Sequence, residues 1–102
     1  MTVVEKIGKV NHYVASLSVS AAMKTDEYFS KFVTKSMQRF NRGDWGDLEQ
    51  EDKTYNDKAL VTGERILAKY DNTLYKSIYI IADAKTNETT REAVTILFTE
   101  EY

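Results

Sequence analysis

Two blocks of opposite charge lie next to each other in this chain, and they hold most of the residues that could do chemistry. From Asp44 to Lys58 run six acids, Asp44, Asp47, Glu49, Glu51, Asp52 and Asp57, against two bases, Lys53 and Lys58. Just before them, Lys24, Lys31, Lys35, Arg39 and Arg42 are spaced 7, 4, 4 and 3 apart. Carboxylates at this density can attract a basic partner or complement the positive end of a helix dipole. They lack the alternating ligands, central glycine and closing glutamate of a calcium loop. The basic residues recur at a helical period, so one helix face could present them to phosphates. Only Tyr28 lies near them as a stacking group for bases.

Catalytic constellations are harder to assemble. His12 is the only histidine, and no nucleophile or metal partner can be placed beside it. Ser16, Ser18 and Ser20 have no nucleophile-elbow context. There is no phosphate-binding loop and no dinucleotide fingerprint. With no cysteine, disulfides, thiolate zinc sites and cysteine nucleophiles are excluded. The expectation is a protein that is not an enzyme and carries no metal or cofactor.

Between the two charge blocks lies Arg42-Gly43-Asp44-Trp45-Gly46-Asp47-Leu48, with the only tryptophan and two of the four glycines. One reading has the indole plugging a gap between two helices while the glycines turn the chain tightly around it. The other has Trp45 exposed as an interface anchor, a role in which tryptophan is enriched. Arg42-Gly43-Asp44 also spells a cell-adhesion tripeptide, but Met1–Lys6 has no apolar signal-peptide core.

The elements that must position these residues follow from hydropathy. Lys9 to Ser16 alternates as a strand, and Ser16 to Ala22 is ambiguous. Thr25 is a candidate N-cap for a helix on which Phe29, Phe32, Val33, Ser36, Met37 and Phe40 form an apolar stripe. At about 100° per residue the basic residues fall on the opposite side. Asp47 is a candidate N-cap for a second helix, from Leu48 to Val61, with Leu48, Tyr55, Ala59 and Leu60 inward and Gly63 as terminator. Strands follow at Arg65–Tyr70, Tyr75–Asp83 and Glu92–Thr99, the last with Val94, Ile96 and Phe98 on one face. The order β-α-α-β-β-β predicts an α+β fold, with two helices packed on a four-stranded, mainly antiparallel sheet.

The chain has 102 residues, of which 42% are hydrophobic and 29% charged, so one domain spanning 1–102 with its own core is expected. No apolar run approaches the roughly 20 residues that cross a bilayer, and a cytoplasmic protein is the expectation. The net charge of −2 speaks against a general nucleic-acid binder while leaving room for a local basic face.

The block Gly43-Asp44-Trp45-Gly46-Asp47-Leu48, followed by Glu51-Asp52, Asn56, Gly63-Glu64-Arg65-Ile66-Leu67 and Tyr70, resembles a family of small bacterial proteins. The match continues through the apolar strand near Ile78–Ala84, Thr95-Ile96-Leu97-Phe98 and the terminal Glu100-Glu101-Tyr102, while the first 40 residues depart from the family's pattern. Its members occur on plasmids, phages and other mobile elements, and many bear the label "type I restriction endonuclease subunit M" or "plasmid-related protein". A methyltransferase subunit needs a doubly wound cofactor fold, for which this chain has neither the length nor the motif. The resemblance implies instead a mobile-element protein that inhibits a host defence system, of anti-CRISPR or anti-restriction type, by binding.

Three function classes follow. In the first, Asp44, Trp45, Asp47, Glu49, Glu51 and Asp52 bind a host defence protein. In the second, Lys31, Lys35, Arg39 and Arg42 bind nucleic acid. In the third, the chain is a structural domain whose sheet edges pair in a homodimer.

Overall fold

The computed structural model describes residues 7–102, so the reading of Met1–Lys6 lies outside it. The elements are β1 (Lys9–Ala15), α1 (Leu17–Thr25), α2 (Glu27–Asn41), α3 (Gln50–Thr62), β2 (Ile66–Tyr70), β3 (Ile78–Ala82) and β4 (Thr90–Phe98). A short 3-10 turn, Thr99–Glu101, closes the chain. The α+β class holds, but with three helices rather than two.

The additional helix is α1, in the segment whose sequence was ambiguous. Ser16 caps it by accepting from the Val19 N–H at 3.2 Å, and the helix buries Val19. Ala21 and Ala22 favour the conformation without strong periodicity, which explains the weak pattern. A single residue, Asp26, joins α1 to α2. Its N–H donates to the Ala22 carbonyl, and its carboxylate accepts from the Phe29 N–H at 3.0 Å. Asp26 is therefore the cap expected at Thr25, whose hydroxyl bonds back to the Ala21 carbonyl at 3.1 Å.

On α2 the expected stripe is present. Phe29, Val33, Ser36 and Phe40 are buried, and Phe32 and Met37 pack against them half-buried. The start of α3 is displaced from the expected Leu48 to Gln50. Asp47 does not cap it, because its carboxylate is taken by the Asp71 N–H at 2.9 Å. The inner face of α3 is Asn56 and Ala59, whereas Tyr55 is exposed. Gly63 ends the helix at φ 83° in the left-handed region, as glycine readily does.

The sheet order is β1-β4-β3-β2. β2, β3 and β4 form an antiparallel meander, with Ile66 opposite Ala82 and Ile80 opposite Ile96. β1 runs parallel to β4, with Tyr13 beside Val94. The sheet is thus mixed rather than mainly antiparallel. The helices carry the chain across one face to the far edge, where β2 restarts in the direction of β1.

Side chains of one parity, Ile66, Ala68, Tyr70, Ile78, Ile80, Ala82, Val94 and Phe98, share the core with Val19, Phe29, Val33, Phe40, Trp45 and Ala59. Each large apolar side chain fully buried there contributes on the order of 1.5–3 kcal/mol. The opposite parity forms a second face. The row Val14–Thr95–Ile81–Leu67 runs across all four strands, and Tyr102 packs edge-on against Tyr79 with ring centroids 5.5 Å apart.

A cation is buried at the end of this sheet. The Arg91 guanidinium is fully enclosed and donates to four carbonyl oxygens: Ile7 at 2.8 Å, Glu64 at 2.7 Å, Asp83 at 2.7 Å and Ala59 at 3.2 Å. Burial pulls its pKa below the ordinary arginine value. The Ala59 carbonyl lies in the last turn of α3, where the helix dipole favours a positive charge.

Candidate functional site

The glycine-rich block between α2 and α3 folds as a clip along the outer edge of β2. Gly46 forms a parallel bridge with Lys69. The Asp47 N–H donates to the Lys69 carbonyl at 2.7 Å, and the Lys69 N–H donates to the Trp45 carbonyl at 3.3 Å. The closeness of this approach excludes a side chain at position 46. A Cβ there would sit 1.9 Å from the Lys69 carbonyl oxygen, and φ is 78°. One step along the same edge, the Asn56 side chain from α3 serves the next residue. Its amide donates to the Leu67 carbonyl at 2.8 Å and its oxygen accepts from the Leu67 N–H at 3.4 Å. The backbone of β2 is therefore closed to any further strand.

Trp45 anchors the clip from inside. It is 3% exposed, packs edge-on against Phe40 at 5.4 Å, and its indole N–H donates to Asp57 at 2.8 Å. The indole thus fills the space between α2, α3 and the sheet and is not a surface anchor. Asp44 holds the clip from the other side. The Arg39 guanidinium grips it with two hydrogen bonds, at 2.7 and 3.2 Å, and the Gly46 N–H donates to it at 3.0 Å. The Asp44 backbone carbonyl accepts the Tyr70 hydroxyl at 2.7 Å. The hydrogen bond from Arg39 holds the Asp44 carboxyl below the usual carboxylate range, and Asp44 in turn raises Arg39. Burial, above all, pushes the Tyr70 hydroxyl up.

The other acids face outward. Asp47, Glu49, Glu51 and Asp52 are exposed, the last two in the first turn of α3 where the helix dipole favours them. Among the described residues, Asp47, Glu49, Glu51 and Asp52 form no ion pair. Beside them a cleft of about 400 Å³ is lined by Leu48, Asp52, Tyr55, Asn56, Arg65 and Leu67. Its walls are apolar at Leu48, Tyr55 and Leu67, and its rim is charged at Asp52 and Arg65.

The basic stripe is divided. Lys31 pairs with Glu27 at 3.2 Å, one helical turn away. Arg39 turns to Asp44 and lies over the Tyr70 ring at 5.1 Å. Lys35 and Arg42 remain exposed. His12 meets Glu92 at 3.4 Å, on the surface. The structure therefore separates the residues that the sequence grouped. Asp44, Trp45 and Arg39 hold the fold, while Asp47, Glu49, Glu51 and Asp52 form a surface.

Tyr55, Arg65 and Leu67, which complete the cleft, were read from the sequence as a helix-face residue and parts of the family motif, not as site residues. They come from a helix and a strand on either side of Gly63, so no local period joins them. Asn56 carried a signal of a kind, a polar residue where the helical inner face runs. No helix among the described residues is long and apolar enough to cross a membrane. No family model, no curated protein and no solved structure matches this chain.

Proposed function

We propose that this chain is a non-enzymatic accessory protein of a phage, plasmid or other mobile element that binds and inhibits a host defence component of the anti-CRISPR or anti-restriction type. The binding surface is Asp47, Glu49, Glu51 and Asp52 with the neighbouring cleft, and its partner presents a basic groove of the kind that otherwise takes nucleic acid. One observation carries this reading over the nucleic-acid alternative: these acids are exposed and form no ion pair among the described residues, whereas two members of the basic stripe are neutralised within the chain. Unpaired carboxylates around an apolar floor steer a basic partner and then seat it. The family resemblance supplies the host-defence context.

The test is phage plating on cells that carry a restriction or CRISPR system, with and without this protein. The wild-type chain is expected to restore plating. A triple variant, Glu49→Lys, Glu51→Lys and Asp52→Lys, is expected to lose that effect while keeping its circular dichroism spectrum. Full protection by the triple variant would rule out the acidic surface, and the absence of protection by the wild type in every system tried would rule out the inhibitor reading.

A further inference from the structure

The two edges of the sheet are treated differently. β2 is closed by the clip and by Asn56, as described above. β1, the opposite edge, has no strand beyond it among the described residues. It is seven residues long, longer than the usual strand of five or six. It also lacks the devices that normally blunt an edge. It contains no proline, and its one lysine, Lys9, lies at its very start. Its apolar side chains are uncovered: Tyr13 is 64% exposed, Val14 46%, and Leu17, just beyond its end, 91%.

We infer that β1 is a dimerisation edge, and that its occupant is β1 of a second copy of this chain, antiparallel about a two-fold axis through His12. The strand is self-complementary in that register. Val10 lies opposite Val14 of the other copy, and Asn11 opposite its Tyr13, so exposed apolar surface is covered on each side of the axis. Lys9 falls opposite Ala15, which avoids facing like charges. The two His12 residues meet at the axis, each already accompanied by the Glu92 carboxylate of its own chain at 3.4 Å. Moving the axis by one residue, to Tyr13, would set Val14 against His12 and leave the valines unmatched. Such a contact is isologous and joins two four-stranded sheets into one of eight. It lies at the opposite edge from the acidic cleft and does not depend on the proposed inhibitor role.

The experiment uses the full chain. Light scattering across a concentration series is expected to approach twice the 11.7 kDa chain mass. The natural sequence has no cysteine, so a single introduced thiol reports geometry cleanly. Directly opposed residues in an antiparallel pair have Cα atoms roughly 4.5–5.5 Å apart, within disulfide reach. His12→Cys is therefore expected to cross-link to a dimer on mild oxidation, faster than Tyr13→Cys and only under native conditions. Val14→Lys is expected to return a single-chain mass with an unchanged circular dichroism spectrum. A single-chain mass for the wild type at every concentration overturns the proposal. So does a dimer in which His12→Cys links no faster than Tyr13→Cys, or one that Val14→Lys leaves intact.

Discussion

At the scale of single residues, the fold depends on a few polar side chains that satisfy buried backbone. Arg91 is the clearest. It ties Ile7, the last turn of α3, the start of β2 and the end of β3 through four carbonyls, and it forms no ion pair among the described residues. Arg91→Met keeps much of the volume but removes the guanidinium from all four carbonyls, of which, among the described residues, only Ala59 has the Gly63 N–H as a second donor. The expected loss is about 3 kcal/mol or more in a urea titration, since each unsatisfied buried group costs roughly 1–3 kcal/mol. Arg91→Lys is expected to recover only part of it, because an ammonium cannot fork to four acceptors. A melt unchanged by Arg91→Met would show that these bonds contribute nothing net. Two carboxylates set the acid limb of stability. The hydrogen bond from Arg39 to Asp44, and that from the Tyr75 hydroxyl to Asp26, hold both carboxyls below the usual carboxylate range. A lowered folded-state pKa adds stability above the unfolded value, and that stability disappears as pH falls through the folded value. The wild type should therefore lose stability as the pH drops below about 4, and Asp44→Asn should show a shallower loss there in thermal melts. Parallel profiles for the two proteins would remove Asp44 from this account.

At the scale of elements, the sequence disclosed what periodicity encodes. The stripe from Phe29 to Phe40 gave α2, and the alternation of Ile66, Ala68 and Tyr70 gave β2, because each buries one face against a neighbour. It did not disclose what depends on partners distant in the chain. α1 was ambiguous because its short helix buries only Val19 fully. The start of α3 was misplaced because Asp47 has the chemistry of a cap, yet a backbone amide 24 residues later claims it. The direction of β1 could not be read from its own pattern, since parallel and antiparallel edge strands alternate alike. For the candidate site, the acids were legible as a run, but which of them hold the fold depended on Arg39 reaching Asp44. Asn56 supplies a test at this scale. Asn56→Leu leaves the Leu67 N–H and carbonyl without partners, and an expected cost of about 1–3 kcal/mol follows. Hydrogen exchange at the Leu67 amide should accelerate well before that of Ile80 in the centre of the sheet. Equal protection at both positions in the variant would show that Asn56 does not seal this edge.

At the scale of the whole molecule, one core joins all three helices to three of the four strands fully, while β1 contributes only Val10 and Ala15 at its margin. Trp45 sits inside that core as the only tryptophan, so its fluorescence reports the same event that far-ultraviolet circular dichroism sees. The two probes are expected to trace one coincident urea transition. Separated midpoints would mean that the clip opens independently of the sheet. If the chain pairs through β1, the melting temperature should also rise with protein concentration, as dimerisation linked to folding requires. The acidic surfaces would then lie at the two far ends of the joined sheet, leaving both accessible to separate partner molecules.

The clip has a further consequence for how these molecules can accumulate. A protein with two bare sheet edges can add copies indefinitely, each new subunit offering a fresh template for the next. Here Trp45, Gly46, Asp47 and Asn56 occupy one of the two edges, so any growth begun at β1 stops after a single addition. The block that stands out most in the sequence thus doubles as a terminator, closing the β2 edge to strand-by-strand growth.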